Sequence, residues 1–168
     1  MLAFLVLIIV IAISGVFFLS SALENKQYSG INEYEAVAFA IATHHQAAAS
    51  WASNLAPTDQ RQSYYITQDD IKPYLDSKYN YTSDIASFYV VKPPENKVFI
   101  ATYLTTQAAN RFDISDIALA MHNMKDVGLT GGLSDSEGCV TAFKETRKFC
   151  VGSGRIPENT PTFITQIR

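Results

Sequence analysis

The chain has 168 residues and a formal net charge of −3, from 13 Lys and Arg against 16 Asp and Glu. Domains that bind nucleic acid carry a basic patch that neutralises phosphates, so this thin spread of cations argues against DNA or RNA as a partner. The composition, 48% hydrophobic and 12% aromatic, is that of a globular protein, and the length beyond an apolar N-terminus suits one domain.

The N-terminal segment Met1–Leu23 has no charged side chain, and the first charge comes at Glu24. A helix of this length, rising ~1.5 Å per residue, covers the ~30 Å hydrocarbon core of a bilayer. We therefore predict a transmembrane anchor over residues 1–23 and an extracytoplasmic α+β domain over residues 24–168. The alternative is a cleaved signal peptide, because Ser20-Ser21-Ala22 offers a small-residue cleavage site. Against cleavage, the apolar run is longer than usual and no basic residue precedes it.

An Ala-rich stretch over residues 32–55 predicts a second helix, into which the anchor continues. Its apolar positions recur at alternating steps of three and four, which is the period of an amphipathic helix. The stripe consists of Tyr34, Val37, Ile41, His44, Ala48, Trp51 and Leu55. Such a stripe needs a covering surface, either the chain's own sheet or a neighbouring helix, so its apolar members are candidate interface residues. We expect His44 to be a hydrogen-bonded histidine of the interior or of an interface.

The middle of the chain predicts a short helix and a β-hairpin. Thr67 is suited to cap the helix, and Pro73 limits its length. Two apolar runs, Phe88–Val91 and Lys97–Leu104, are typical of strands, and Pro93–Asn96 is typical of the reversal between them.

The last third predicts one more helix and three strands. Asp113 caps the helix and Gly128 ends it. Leu129–Gly138 is rich in Gly and Ser and is predicted as a loop. The strands, of which the first two form a hairpin, are Cys139–Phe143, Lys148–Val151 and Thr162–Ile167. Because parallel crossovers are scarce in this order, we predict an α+β fold in which a small antiparallel sheet packs on helices.

Cys139 and Cys150 are the only cysteines. If the chain reverses between Lys144 and Glu145, the two lie opposite each other across a hairpin, with Cβ atoms ~4.5–5.5 Å apart, near what a disulfide needs. Their spacing is not that of a CxxC redox motif, and no nearby histidine completes a zinc site. A structural disulfide is the prediction, and buried free thiols are the alternative.

The sequence contains no recognisable catalytic motif. His44 and His45 are adjacent, so on a helix they project ~100° apart and cannot share a metal, and His122 is expected at the surface. Asp135 and Glu137 resemble a fragment of a calcium loop without its full spacing, and an ion site there is left open. With no nucleophile elbow and no phosphate loop, we predict no catalytic residue, cofactor or metal site, and no enzymatic activity.

An uncharged span, an amphipathic Ala-rich helix and an antiparallel domain with a late disulfide together resemble the architecture of type IV pilins and pseudopilins. In that family a short basic leader ends in Gly and is removed, and a Glu lies a few residues into the mature span. Here Gly15 lies deep in the apolar run, no basic leader precedes it, and the span has no Glu.

The chain is more similar to the PilM group of plasmid and type IVb thin-pilus systems. The features that carry this resemblance are the Met1–Leu23 span, the Ala36–Trp51 helix and the length of the remaining domain. PilM proteins have an uncleaved N-terminal anchor and an extracytoplasmic domain, and are thought to belong to the pilus basal body. The resemblance implies a scaffold that docks to other pilus-assembly or secretion proteins, with self-association also open.

The resemblance also implies a location. Lys26 is the only Lys or Arg between Glu24 and Gln60, which suits a segment on the translocated side of the anchor. A disulfide favours an oxidising compartment. We therefore predict a single-pass protein of the bacterial inner membrane with its C-terminal domain in the periplasm.

Two other functions stay open at this point. A minor pilin or pseudopilin would enter a filament and would show N-terminal processing. A secreted binding domain or small enzyme would lose a signal peptide and be released. For any of these, Trp51, Tyr64, Tyr65 and Tyr79 are candidate contact residues, because Trp and Tyr are enriched at interfaces, or else they fill the core.

Overall fold

The helices and strands lie within the parts of the chain that the computed structural model describes, which are residues 33–55, 63–76, 83–92, 97–124, 130–141 and 148–167. The predicted anchor Met1–Leu23 is outside these ranges, and so are the predicted reversal at Pro93–Asn96, the predicted helix end at Gly128 and the aromatic Tyr79. Within the described ranges, no helix combines the length and the apolarity that crossing a membrane requires.

The first described element is a helix, α1, over residues 33–53. Ala, the best helix former, is its commonest residue. The side chain of Asn54 closes its C-terminal end, because Nδ2 donates to the carbonyl oxygen of Ser50 at 2.8 Å. The buried apolar residues of this helix are Ala38, Ile41, Ala42, Ala47, Ala48 and Ala52. Since all but Ile41 are Ala, the helix backbone can approach its sheet closely.

The described residues contain seven strands in two antiparallel sheets. The strands are β1 (Tyr64–Ile66), β2 (Ile85–Lys92), β3 (Lys97–Leu104), β4 (Thr130–Leu133), β5 (Cys139–Thr141), β6 (Lys148–Cys150) and β7 (Pro161–Gln166). The larger sheet has the order β1-β2-β3-β7-β4, and β5 and β6 form the smaller one. A single bridge between Ser134 and Val140 links the end of β4 to β5.

Three α-helices accompany the strands of the described residues, α2 (Gln68–Ile71), α3 (Thr106–Ala109) and α4 (Ile114–Asn123), and a 3₁₀ helix over Lys72–Tyr74 follows α2. The predicted N-cap of α2 is confirmed, and the carboxylate of Asp70 accepts the backbone N–H of Thr67 at 2.8 Å. The predicted N-cap of α4 is confirmed too, since Asp113 accepts the N–H of Ser115 at 2.9 Å. Both caps satisfy N–H groups that a helix start leaves without partners.

Both faces of the five-stranded sheet are covered. On one face, α1, α3 and α4 pack around Phe163, and the second half of α1 packs around Tyr89. On the other face, the β5–β6 hairpin and the loop over residues 151–160 cover Phe88, with Val140 and Ile156 in the same cluster. The described domain therefore has three layers, helices, sheet and hairpin, within the compact unit Tyr34–Arg168.

The predicted α+β class with an antiparallel sheet and helices is confirmed. Strand β3 has the predicted bounds, Lys97–Leu104. Strand β2 is longer than predicted, because it begins at Ile85 rather than Phe88 and continues to Lys92. The buried Ser87 interrupts the apolar pattern that marks the strand in the sequence.

The prediction of a loop over Leu129–Gly138 is wrong for Thr130–Leu133, which form β4, and residues 135–138 form the turn that follows it. Glycine is depleted in strands, so the two glycines of this segment made its sequence resemble that of a loop. A Cβ atom on Gly132 would lie 2.2 Å from the carbonyl oxygen of Thr141, so the glycine is what lets β4 lie against β5. Strand β1 and helix α3 are absent from the sequence prediction because three or four residues are too few to show a period.

Candidate functional site

A buried chain of hydrogen bonds links α1 to the sheet through His45. The ring Nδ1 lies 3.0 Å from the hydroxyl oxygen of Thr102, and Nε2 lies 2.8 Å from that of Thr165. The Thr102 hydroxyl also lies 2.9 Å from Oγ of Ser87. Burial lowers the pKa of His45 from 6.5 to about 4. The ring is therefore neutral near pH 7, with one nitrogen donating and the other accepting.

A histidine beside hydroxyl groups is also the arrangement of nucleophilic catalysis, and the geometry argues against that role here. His45 is 0% exposed, as is Thr102, so the hydroxyl is out of reach of a substrate. The second ring nitrogen contacts Thr165, where a catalytic triad would place a carboxylate. The network instead fixes the position of α1 on the sheet, because it joins His45 to Thr102 of β3 and Thr165 of β7.

The predicted stripe of α1 is covered by the chain's own sheet. Ile41 and Ala48 are 0% exposed, and His44 is 2% exposed. The other four candidate interface residues are partly buried against the same clusters: Tyr34, Val37, Trp51 and Leu55. While the domain is folded, this face of α1 is therefore core.

Of the predicted contact aromatics within the described residues, Tyr65 has the most accessible ring. Trp51 and Tyr64 both pack on the buried ring of Tyr89, with ring centroids 6.0 and 5.9 Å away. Tyr65 is 63% exposed and its ring lies 4.5 Å from that of Phe88. Trp51 and Tyr64 thus contribute to the core, and Tyr65 to the surface.

The cysteine pair lies at disulfide distance. Cys139 and Cys150 are direct partners in the β5–β6 register, and their sulfur atoms are 2.08 Å apart. This register is the one that a reversal between Lys144 and Glu145 requires. The pair joins two strands of three residues each, which have few ladder hydrogen bonds of their own.

The acidic pair beside this hairpin holds a lysine. The Asp135 carboxylate accepts the N–H groups of Glu137 and Cys139 at 3.0 and 2.8 Å, and Nζ of Lys148 lies 2.8 Å from its other oxygen. The hydrogen bond to Lys148 lowers the pKa of Asp135, and the same bond raises the pKa of Lys148. Asp135, Glu137 and Cys139 are close enough to suggest a metal cluster, but the cysteine sulfur is in the disulfide and a cation would have to displace Lys148. Asp135 and Glu137 therefore hold Lys148, at the start of β6, against the turn that precedes β5.

A cleft of about 440 Å³ opens where the β2–β3 hairpin meets β6. Its lining includes Lys92, Lys97, Lys148, Phe99, Phe149 and Gln166, and we call it the lysine cleft. Lys92 and Lys97 are direct cross-strand partners. The Nζ atom of Lys92 lies 6.0 Å from the ring centroid of Phe99, whose ring meets Phe149 edge-on at 6.5 Å. No acidic side chain is among the described residues that line it.

A second cleft, of about 410 Å³, lies between β1 and the loop over residues 151–160. Tyr65, Tyr103, Arg155 and Glu158 contribute to its lining, and we call it the tyrosine cleft. The guanidinium of Arg155 lies 4.8 Å from the ring centroid of Phe88. Burial raises the pKa of the Tyr103 phenol, and the nearby Tyr65 adds to that effect. With one cation and one carboxylate in its lining, this cleft has no preferred ligand charge.

Sequence reasoning did not find the His45 network or the lysine cleft. His45 lies one position from the predicted stripe, and only the folded sheet shows that it faces two threonines. One part of the lysine cleft could be predicted from the sequence, because a hairpin that reverses at Pro93–Asn96 places Lys92 opposite Lys97. The approach of Lys148 from β6 depends on the tertiary fold.

Comparison with known proteins identifies no relative: no family model matches the chain, and no curated protein or solved structure matches it.

Proposed function

We propose that this protein is a non-enzymatic, inner-membrane-anchored component of a type IVb or conjugative pilus assembly apparatus, similar in function to the PilM group. In this proposal Met1–Leu23 forms a transmembrane helix that continues into α1. The domain lies in the periplasm and docks to other assembly proteins.

The observation that carries the proposal is the packing of α1. Its inner face is Ala and Ile, it covers one face of an antiparallel sheet, and in the sequence it follows shortly after an uncharged segment long enough to span a bilayer. That order of parts is the one that pilin-like proteins share. The cysteine pair at disulfide distance supports an oxidising compartment, because disulfides persist outside the cytosol.

The alternatives share parts of this architecture. A minor pilin or pseudopilin would have the same helix on the same kind of sheet, and a secreted binding domain would have the same disulfide. What separates the three is where the protein resides once it has matured, so location is the property to test.

The test is fractionation of the source cells, with pili sheared from the surface and the inner membrane separated from the medium. We expect the protein in the inner membrane, resistant to carbonate extraction, and digested by external protease only after the outer membrane is opened. We also expect that deletion of its gene abolishes pili and that the plasmid-borne gene restores them. Protein in the sheared filaments would indicate a minor pilin, and soluble protein in the medium would indicate a secreted domain.

A further inference from the structure

One wall of the tyrosine cleft is an aromatic ring that is both exposed and held in place. Tyr65 of β1 is 63% exposed, and its ring centroid lies 4.5 Å from that of the buried Phe88, its direct partner on β2. The contact with Phe88 restricts the Tyr65 side chain while most of it remains in water. A restricted aromatic ring offers a ligand a large apolar surface at a low cost in conformational entropy.

The polar groups of the cleft are of three kinds. The guanidinium of Arg155, which lies 4.8 Å from the ring centroid of Phe88, can only donate hydrogen bonds, and the carboxylate of Glu158 can only accept them. The hydroxyl of Tyr103 does both, because burial raises its pKa and keeps the phenol protonated. Within the described ranges, none of these three side chains forms an ion pair or a side-chain hydrogen bond.

The wall opposite β1 is fixed before any ligand arrives. The buried hydroxyl of Ser134, at the end of β4, donates to the carbonyl oxygen of Pro157 and accepts the N–H of Thr160 at 3.0 Å. The N–H of Asn159 donates to the carbonyl oxygen of Ser134 at 2.8 Å. Ile156, in the same loop, is buried against the sheet. A ligand therefore enters a cleft whose backbone is already ordered, and little further entropy is lost on binding.

The charges of the lining favour a neutral ligand. Arg155 and Glu158 line the same cleft, so an anion and a cation each meet one attractive and one repulsive group. Both side chains are exposed, and ion pairs at an exposed site contribute little. Apolar contact with the ring of Tyr65 is therefore expected to contribute more to affinity than either charge does.

The hydrogen-bonding groups favour a ligand that carries several hydroxyls. Each hydroxyl both donates and accepts, so a set of them satisfies Arg155, Glu158 and Tyr103 together. A proline-rich segment has no N–H at its prolines, so it offers the Glu158 carboxylate few donors. A sugar ring has hydroxyls on its rim and C–H groups on its faces, and such a face suits the Tyr65 ring. The volume of about 410 Å³ is in the range of small-ligand sites.

We propose that the tyrosine cleft binds a neutral saccharide. One face of a sugar ring packs on Tyr65, and hydroxyl groups of the same saccharide bind Arg155 and Glu158, with Tyr103 deeper in the cleft. This inference goes beyond the proposed function, because it depends on the cleft alone. Glycan chains of the cell envelope and soluble sugars share this chemistry.

The test is isothermal titration calorimetry of the full-length protein in a detergent without a sugar headgroup. The probes are three neutral trisaccharides: triacetylchitotriose, maltotriose and cellotriose. We expect saturable binding of at least one of them. Its affinity should change by less than about twofold between ~0.1 and ~1 M salt, over which the Debye length falls from ~10 to ~3 Å. Absence of saturable binding by all three would overturn the proposal, and a steep loss with salt would overturn the neutral ligand.

The matched variants are Tyr65→Thr, in the cleft, and Tyr74→Thr, on an exposed tyrosine outside its lining. Threonine favours strands, so Tyr65→Thr removes the ring and keeps a residue that suits β1. We expect it to weaken binding roughly tenfold, and Tyr74→Thr to leave affinity within about twofold. Tyr65→Trp retains an aromatic ring and should bind within about threefold of the natural chain. Equal affinities of the two threonine variants, or a loss in Tyr65→Trp as large as in Tyr65→Thr, would overturn the proposal.

Competition separates the other occupants and the two sources of saccharide. Decaproline that displaces the trisaccharide at lower concentration than the trisaccharide itself would overturn the proposal and indicate a proline-rich partner. Tighter binding of the trisaccharide than of its monosaccharide would support the proposal with a glycan chain as ligand, and equal binding would support it with a soluble sugar. Because the titration uses purified protein, its result is independent of the fractionation above.

Discussion

His45 places an ionisable ring in the interior between α1 and the sheet, where burial disfavours its charged form. Its pKa is lowered from 6.5 to about 4, so between these values the unfolded chain binds more protons than the folded one. Stability is therefore fully present above pH 6.5 and falls as the pH drops toward 4, by roughly 3 kcal/mol in total. We expect urea unfolding of the full-length protein in detergent, measured between pH 7 and 4, to show this loss.

The variant His45→Gln tests that assignment. Its amide can still hydrogen-bond but cannot titrate, so we expect lower stability at pH 7 and a smaller pH dependence between 6.5 and 4. An unchanged slope in His45→Gln would show that another group causes the acid sensitivity.

At position 138 the backbone is left-handed and there is no room for a Cβ atom, and glycine is the residue that suits both conditions. Its φ is +69°, and a Cβ atom there would lie 2.2 Å from the carbonyl oxygen of Gly152. Gly154 has a similar φ of +75° with nothing within 4 Å of its Cβ position, so it isolates the conformational effect from the collision. We expect Gly154→Ala to lower the free energy of unfolding by about 1 kcal/mol, and Gly138→Ala by clearly more. Equal losses in chemical denaturation would contradict the close approach.

The β5–β6 hairpin depends on its cysteine bond more than on its ladder. Closing a loop with a sequence separation of 11 contributes roughly 2–3 kcal/mol in the chain-entropy account. We expect the double variant Cys139→Ser, Cys150→Ser to lower the free energy of unfolding by that amount. It should also loosen the wall of the lysine cleft that β6 forms, because Lys148 and Phe149 lie on that strand.

Reduction provides the control for that variant. Dithiothreitol should destabilise the natural protein by a similar amount and leave the serine variant unchanged. Identical urea midpoints with and without reductant in the natural protein would show that the two thiols are not bonded.

Elements with strong local signals could be predicted from the sequence. The period of α1, the caps at Thr67 and Asp113 and the continuous apolar run of β3 each depend on neighbours along the chain. Strand β4 could not be predicted, because its glycines are explained by contacts that exist only in the folded protein, Gly131 with Phe163 and Gly132 with Thr141.

The candidate site was predictable only where a hairpin register defines it. A reversal centred between Lys144 and Glu145 pairs Cys139 with Cys150, and a reversal at Pro93–Asn96 pairs Lys92 with Lys97. The apolar stripe of α1 could be predicted from its period. Whether the chain's own sheet or a partner covers that stripe depends on long-range packing. The structure shows the sheet.

At the scale of the whole molecule, the broad apolar surfaces of the described domain face one another. Helices cover one face of the large sheet and the hairpin covers the other. What the described surface offers a partner is instead the two clefts and four exposed large hydrophobic side chains, Phe39, Tyr65, Tyr74 and Leu119. A domain of this kind suits docking in an assembly, with its membrane attachment supplied by Met1–Leu23 in the proposed account.

The most direct test of that account is the intact mass of the protein extracted from membranes, measured with and without reduction and alkylation. The account predicts a chain that retains Met1–Leu23 and whose two cysteines become alkylated only after reduction. A chain that begins near Leu23 would contradict the retained anchor and indicate a secreted domain. A chain that begins inside the apolar run would contradict it as well and indicate a processed pilin.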